Sequence, residues 1–93
     1  MSVSVRIPTI LRPLTEGAAE VEVDPADPTV SGVLAALDEN YPGLRDRILD
    51  DQGAPRRFIN LYLGDEDIRA CQGLQTPIGK GDRLSVIPAV AGG

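Results

Sequence analysis

A single amphipathic helix in the middle of the sequence most constrains how this chain of 93 residues folds. Thr29 is a candidate N-cap, since its side chain can accept a hydrogen bond from the first helical turn. Apolar residues follow at the spacing of one helical face: Val30, Val33, Leu34, Leu37 and Tyr41. Pro42 disfavours helical geometry at the residue before it, so we expect the helix to end near Asn40. The apolar stripe must be covered by another layer of structure.

Alternating patterns before the helix predict part of the layer that covers it. Val3, Val5 and Ile7 alternate with polar residues, and Val21 and Val23 do the same further along the chain. This period of two predicts two strands that pair as a hairpin. The connection between them, residues 8–18, is longer than a tight turn, and loops of this kind often carry specificity.

The second half of the sequence predicts one short helix and further strands. Apolar residues at helical spacing within residues 44–49 indicate the helix. Three more strands are expected. Residues 58–63 should form a strongly buried strand, Ile68-Arg69 a short strand at the edge of the sheet, and residues 84–87 the last strand. One long helix for four or five strands predicts an α+β fold, in which a mixed sheet curls around the helix.

The composition narrows the classes of function. Nine Lys and Arg against fourteen Asp and Glu give a net charge of −5, which argues against nucleic acid or an anionic membrane as the main partner. The absence of histidine excludes Ser-His-Asp triads, Cys-His pairs and histidine zinc sites. With one cysteine, no apolar run long enough to span a membrane and no signal pattern, we expect a cytoplasmic protein.

The C-terminus carries the main chemical feature of the sequence. Pro88 is followed by five small residues: Ala89, Val90, Ala91, Gly92 and Gly93. Ordering five residues costs roughly 5–10 kcal/mol of backbone entropy, whereas burial of Val90 returns only about 1.5–3 kcal/mol. We therefore expect a folded domain over residues 1–88 and a free tail over residues 89–93. A terminal Gly-Gly lets a bare carboxylate enter a narrow active site, and a frayed terminus without function is the alternative.

Three stretches of the sequence resemble a known family. They are residues 7–13 (IPTILRP), residues 57–62 (RFINLY) with 65–69 (DEDIR), and residues 87–93 (IPAVAGG). Together with the expected order of elements, they make the chain look like a ubiquitin-like β-grasp protein of the sulfur-carrier family (ThiS/MoaD-like). Within that family, they are most similar to the CysO-type carriers of actinobacterial cysteine biosynthesis. The resemblance spans essentially the whole chain.

The resemblance implies that the protein is a cosubstrate of partner enzymes, not an enzyme, and that it binds no cofactor or metal. An activating enzyme of the ubiquitin-E1 type would use ATP to adenylate Gly93, and a sulfur donor would then leave a thiocarboxylate there. In the CysO-type case, the sulfur passes to a pyridoxal-phosphate-dependent cysteine synthase supplied with O-phosphoserine. A zinc metallopeptidase then releases the product and regenerates the Gly-Gly end. Residues 89–92 would be the part of the tail that enters these active sites.

Strand parity predicts a docking patch for the partner enzymes. Successive side chains of a strand point to opposite faces of the sheet. If Leu61 and Val86 face the helix, the outward-facing apolar residues near the start of the tail are Phe58, Tyr62 and Ile87. We interpret these three residues as a docking patch, and aromatic packing under a loop is the alternative.

Four other features have simpler interpretations. Cys71 is expected to be a bystander thiol, because no histidine is present to lower its pKa. Residues 79–82 (GKGD) lack the spacing of a phosphate-binding loop and are expected to form a turn. Residues 65–67 (DED) are expected to be a solvated turn and not a cation site. Arg56 and Arg57 are interpreted as solvated charges, and steering of the acidic domain onto an enzyme is the alternative.

Three other functions stay open on the sequence alone. The carrier can serve a different pathway, such as molybdopterin, thiamin or secondary-metabolite thiolation. The chain can also be a covalent modifier whose Gly93 is conjugated to lysines of target proteins. Finally, it can be a β-grasp interaction module that works without its tail.

Overall fold

Residues 2–88, the part of the chain that this computed structural model describes, form five strands and two α-helices. In chain order they are β1 (Val3–Arg6), β2 (Glu20–Val23), α1 (Val30–Asn40), α2 (Leu44–Ile48), β3 (Ile59–Leu63), β4 (Glu66–Asp67) and β5 (Arg83–Pro88). Three short 3₁₀ segments lie between them: Thr9–Thr15, Ile68–Ala70 and Gly73–Gln75. This order confirms the predicted α+β fold. The predicted tail, residues 89–93, lies outside the described residues.

The sheet is mixed and has the strand order β2-β1-β5-β3-β4. β1 and β5 pair in parallel at its centre, while the other neighbours pair antiparallel, so the predicted hairpin of β1 and β2 is confirmed. Leu84 of β5 lies opposite Val5 on one side and Leu63 on the other. The inner face of the central strands is closely packed, since Val5, Leu61, Leu84 and Val86 are at most 2% exposed.

Helix α1 forms one core with the inner face of the sheet, as its apolar stripe predicts. Thr29 is the N-cap: its Oγ1 accepts a hydrogen bond from the Gly32 N–H at 3.1 Å and donates one to the Asp27 carboxylate at 3.0 Å. Four residues of the stripe are fully buried: Val30, Val33, Leu34 and Leu37. The helix ends at Asn40, where Pro42 predicts its end.

The short second helix is also confirmed. The Asp38 carboxylate accepts hydrogen bonds from the N–H groups of Gly43, at 3.0 Å, and Arg45, at 3.3 Å, and so ties α1 to the start of α2. Leu44 and Ile48 of α2 are fully buried. No helix among residues 2–88 combines the length and the apolarity needed to cross a lipid bilayer.

The burial predicted for residues 58–63 is wrong. The strand begins at Ile59, so Phe58 precedes it, and Leu61 is its one fully buried residue. Ile59 and Leu63 share the inner face with Leu61 but pack only partly against the core. The residues between them alternate to the outer face of the sheet, where they are half-buried.

The position predicted for the edge strand is also wrong, because β4 is Glu66–Asp67 and not Ile68-Arg69. Asp67 Oδ1 accepts a hydrogen bond from the Arg69 N–H at 2.9 Å, which turns the chain into the 3₁₀ segment Ile68–Ala70. The turn directs Ile68 into the core, where it is 2% exposed. The strand therefore ends before Ile68, although the β-branched side chain of this residue is typical of a strand.

The start of α1 predicts that Gly32→Ala destabilises the fold. A Cβ at residue 32 would lie 1.8 Å from the Asp27 carbonyl oxygen, so the backbone would have to move. Gly→Ala within a helix usually stabilises by up to about 1 kcal/mol, whereas we expect a loss of about 2–3 kcal/mol here. The measurement is the free energy of unfolding in urea. Ser31 is half-buried in the same turn, so Ser31→Ala is the matched control. We expect it to change the free energy of unfolding by less than about 0.5 kcal/mol.

A Gly32→Ala variant as stable as the wild type would contradict the close approach of α1 to the residues that precede it.

Candidate docking site at the root of the tail

Three chain segments meet where β5 ends. β1 and β5 run parallel, so the residues that follow β1 lie at the same end of the sheet as Pro88. β3 runs antiparallel to β5, which places its first residue, Ile59, opposite Pro88. We call the surface formed here by Ile10, Phe58, Ile87 and Pro88 the tail-root surface.

The tail-root surface is apolar and exposed. Ile10, Phe58 and Ile87 are the exposed large hydrophobic residues among residues 2–88, at 72%, 52% and 42%. A groove of about 580 Å³ runs along Pro8, Ile10 and Ile87, and a second of about 560 Å³ runs between Ile10 and Phe58. Pro88 lines both grooves. Contiguous exposed apolar surface is typical of protein-binding sites.

The structure brings two of the three predicted docking residues together. Phe58 and Ile87 both belong to the tail-root surface, although Phe58 precedes β3 and lines the second groove. Tyr62 is half-buried and lies opposite Ser85, two residues before Ile87. It shares the outer face of the sheet with Ile87 but lines neither groove. The role of these residues in docking stays a prediction.

Ile10 is the residue that sequence reasoning misses. It lies in the 3₁₀ segment Thr9–Thr15, in which Leu11 and Leu14, three residues apart, both pack towards the core. Leu11 is 6% exposed and its neighbour Ile10 is 72% exposed. The sequence contains two adjacent aliphatic residues and does not tell which one is buried. The one sequence feature that points to this region is the length of the connection over residues 8–18, which is longer than a tight turn.

A fixed polar cluster lies beside Tyr62. Asp67 is opposite Tyr62 in the sheet, and Arg69 Nη2 donates hydrogen bonds to Asp67 Oδ2 at 2.6 Å and to Asn60 Oδ1 at 3.2 Å. Hydrogen bonds from Arg69, with its positive charge, hold the pKa of Asp67 below its ordinary value. Asp67 is therefore ionised at neutral pH and pins the turn after β4.

The other candidate residues form no reactive constellation. Cys71 is exposed, and desolvation together with the Glu66 carboxylate raises the pKa of its thiol, which keeps the thiol protonated at neutral pH. Residues 79–82 form the predicted turn, in which the Gly79 N–H donates to Asp82 Oδ2 at 2.7 Å. Within residues 2–88, no three His, Cys, Asp or Glu side chains are grouped so that they could hold a metal ion.

A mixed sheet curled around one main helix, with the chain leaving from its central strand, defines a ubiquitin-like β-grasp protein. The sequence matches the ThiS family over residues 5–93. The chain therefore belongs to the ThiS family.

Three known proteins illustrate the relationship. The sulfur carrier protein CysO of Mycobacterium tuberculosis is 44% identical over a 95-residue alignment that covers both chains completely. A chain in the crystal structure of the Amycolatopsis orientalis BexX/CysO complex is 41% identical, with a TM-score of 0.88 over 98% of this chain and 99% of that one. SAMP1 of Haloferax volcanii is 30% identical, with a TM-score of 0.81 and both chains fully covered. The predicted resemblance to the CysO-type carriers is confirmed.

The surroundings of Cys71 predict a slow thiol. At about pH 8, we expect iodoacetamide to alkylate Cys71 more slowly than free cysteine, because the thiolate is the nucleophile and the pKa of Cys71 is raised. Glu66→Gln removes a neighbouring charge and speeds the alkylation by about twofold. Glu39→Gln, at an exposed position near the end of α1, is the matched control and leaves the rate unchanged. Mass spectrometry over time gives the rates.

A wild-type rate equal to or above that of free cysteine would contradict the raised pKa of this thiol.

Proposed function

We propose that this chain is a sulfur carrier that delivers sulfur as a thiocarboxylate at Gly93. One observation carries the proposal: the central strand β5 ends at an exposed apolar surface, and the five residues after Pro88 end in Gly92-Gly93. Membership of the ThiS family and the similarity to the sulfur carrier protein CysO support it. A carrier needs a stable body that enzymes recognise and a terminus that reaches their active sites.

The proposed chemistry takes place on the terminal carboxylate. A carboxylate is a poor electrophile until one of its oxygens becomes part of a good leaving group. An E1-like activating enzyme therefore transfers AMP from ATP to Gly93 and releases pyrophosphate. Sulfide supplied by a donor then attacks the carbonyl carbon, AMP leaves, and a thiocarboxylate remains. Glycine at residues 92 and 93 leaves this carbon without a neighbouring Cβ that would hinder attack.

We place the delivered sulfur in cysteine biosynthesis. On a pyridoxal-phosphate-dependent synthase, O-phosphoserine would lose its phosphate, and the thiocarboxylate sulfur would bond to the same carbon and so become the sulfur of cysteine. The cysteine adduct rearranges to an amide, and a zinc metallopeptidase hydrolyses that amide and restores Gly93. The similarity to CysO supports this route over molybdopterin, thiamin or secondary-metabolite thiolation. The carrier is a protein cosubstrate in each of these steps, and the partner enzymes supply the catalysis.

The tail-root surface is the proposed contact with these enzymes. CysO of A. orientalis forms a complex with BexX, which supports docking of a carrier body on a partner protein. Ile10 joins the predicted residues Phe58 and Ile87 at this surface, and Tyr62 extends it along the outer face of the sheet. The tail of residues 89–92 then leads Gly93 into the active site of the docked enzyme.

A covalent modifier is the second candidate, favoured by the similarity to SAMP1, the small archaeal modifier protein 1. In this case, a lysine amine of a target protein attacks the activated Gly93 carbonyl and an isopeptide bond forms. The two candidates share adenylation and differ in the nucleophile that follows it.

The mass of the protein tests the proposal. In chain isolated from cells that contain its activating system, we expect a mass gain equal to the replacement of one oxygen by sulfur, because the thiocarboxylate is the stored product. Tandem mass spectrometry should locate the gain at Gly93. The matched control is the chain without Gly92-Gly93, which should gain nothing. Wild-type protein without the gain would refute the carrier function, and denaturant-resistant conjugate ladders would favour the modifier.

A bulky side chain at residue 92 should abolish activation without unfolding the body. We expect Gly92→Leu to form no thiocarboxylate, since its side chain crowds the carbon that the activating enzyme must reach. The thermal midpoint should change by less than about 2 °C, because the packed core lies within residues 3–86. Gln75→Leu adds the same side chain at an exposed position of the body and is the matched control. Conversion of Gly92→Leu at the wild-type rate would contradict the proposed role of the tail.

A further inference from the structure

The charge around the tail-root surface is opposite in sign to that of the whole chain. The chain has a net charge of −5, yet four arginines line the two grooves: Arg6, Arg12, Arg47 and Arg56. Neither groove has an Asp or Glu among its lining residues. We call these four residues the arginine rim.

Among residues 2–88, no carboxylate forms an ion pair with the two arginines on the β1 side of the rim, Arg6 and Arg12. Glu20 lies opposite Arg6 in the sheet, but its carboxylate pairs with Arg83 instead, at 3.0 Å. Arg12 Nε donates a hydrogen bond to the Ile7 carbonyl oxygen at 3.1 Å, which orients the guanidinium group without cancelling its charge. Both arginines thus keep their positive charge available to a partner.

Helix α2 and the segment before β3 supply the other side of the rim. Arg47 is exposed and forms no ion pair with a carboxylate of residues 2–88. Arg56 Nε donates to a backbone carbonyl oxygen at 2.8 Å, and its side chain also lines a cleft that contains four aspartates. The uncompensated charge of the rim therefore rests mainly on Arg6, Arg12 and Arg47.

We propose that the tail-root surface binds an enzyme whose facing surface is an apolar patch rimmed by carboxylates. The inference rests on the proposed function and specifies the surface chemistry of the partner. Apolar contact with Ile10, Phe58 and Ile87 removes their exposed surface from water. The arginines then lie at the edge of the contact, where opposite charges speed association and select the partner. Arginine suits this position, since its planar guanidinium group binds carboxylates through two parallel hydrogen bonds.

An acidic protein surface fits these observations better than a nucleic acid. A polyanion that binds four arginines would also meet the field of a chain with a net charge of −5 and a pI near 4.5. It would leave three exposed hydrophobic side chains in the centre of the site without an apolar partner. A local carboxylate rim around an apolar patch satisfies both features at short range.

The position of the surface also suits delivery of the tail. Five residues after Pro88 span at most about 17 Å when fully extended. An enzyme that takes up Gly93 must therefore approach the end of β5 within this distance. The surface of the enzyme around its active-site entrance then contacts the arginine rim before Gly93 is fully inserted.

Two neutralising double variants test the inference. Arg6→Ala/Arg47→Ala removes one exposed charge from each groove, and Arg45→Ala/Lys80→Ala removes the same total charge at exposed positions outside both grooves. Each protein is incubated with ATP, sodium sulfide and an extract of cells that contain the activating enzyme. Mass spectrometry gives the rate of thiocarboxylate formation at Gly93, and circular dichroism verifies that each variant is folded.

We expect the rim variant to convert about fivefold more slowly than the control variant at about 50 mM NaCl, with little difference at about 500 mM, because salt screens exposed charges. Ile10→Ser should slow conversion at both salt concentrations, because an apolar contact is not screened. Equal rates for the two double variants, with wild-type conversion intact, would overturn the inference and leave the proposed function standing. Wild-type protein that gains no sulfur would overturn both.

A gel shift of total RNA by the wild type, lost in the rim variant, would assign the surface to nucleic acid and likewise overturn the inference.

Discussion

The parallel pairing of β1 with β5 is the constraint on which the rest of the structure depends. Parallel strands cannot be joined by a tight turn, so the chain between them forms a long crossover that contains α1, α2 and β3. The same pairing brings the ends of β1 and β5 to one end of the sheet. Ile10 and Pro88, far apart in sequence, therefore line the same two grooves. The tail-root surface is thus a direct result of strand direction.

The proposed function gives the body and the tail separate physical roles. The packed core is built from aliphatic side chains within residues 3–86, and the capped start of α1 holds the helix against the sheet. The five residues after Pro88 are small, and the sequence predicts that their burial would not offset the entropy of ordering them. In the proposed function, the chemistry at Gly93 takes place outside the packed core. The tail-root surface lies at the junction, where exposed apolar residues and arginines come together on an acidic chain.

Prediction from sequence succeeds where local patterns and burial agree. The structure has the predicted cap at Thr29 and the predicted apolar stripe of α1. It also has the predicted alternation of buried and exposed residues in β1 and β2. Prediction fails around β3 and β4, because the burial of each side chain depends on which distant parts of the chain cover its face of the sheet. It fails at Ile68 for a related reason, since an Asp67 side-chain hydrogen bond to the backbone turns this β-branched residue out of the sheet.

The sequence by itself determined the α+β class, the single main helix, the family resemblance and the terminal Gly-Gly, because these depend on the order and type of neighbouring residues. The tertiary structure decided which apolar side chains are exposed and which charges surround them. Ile10 and Leu11 are adjacent and both aliphatic, yet one lies at the surface and the other in the core. The arginine rim likewise comes from three separate parts of the chain. Such groups meet only when strand pairing closes the sheet, because no local pattern records contacts between distant residues.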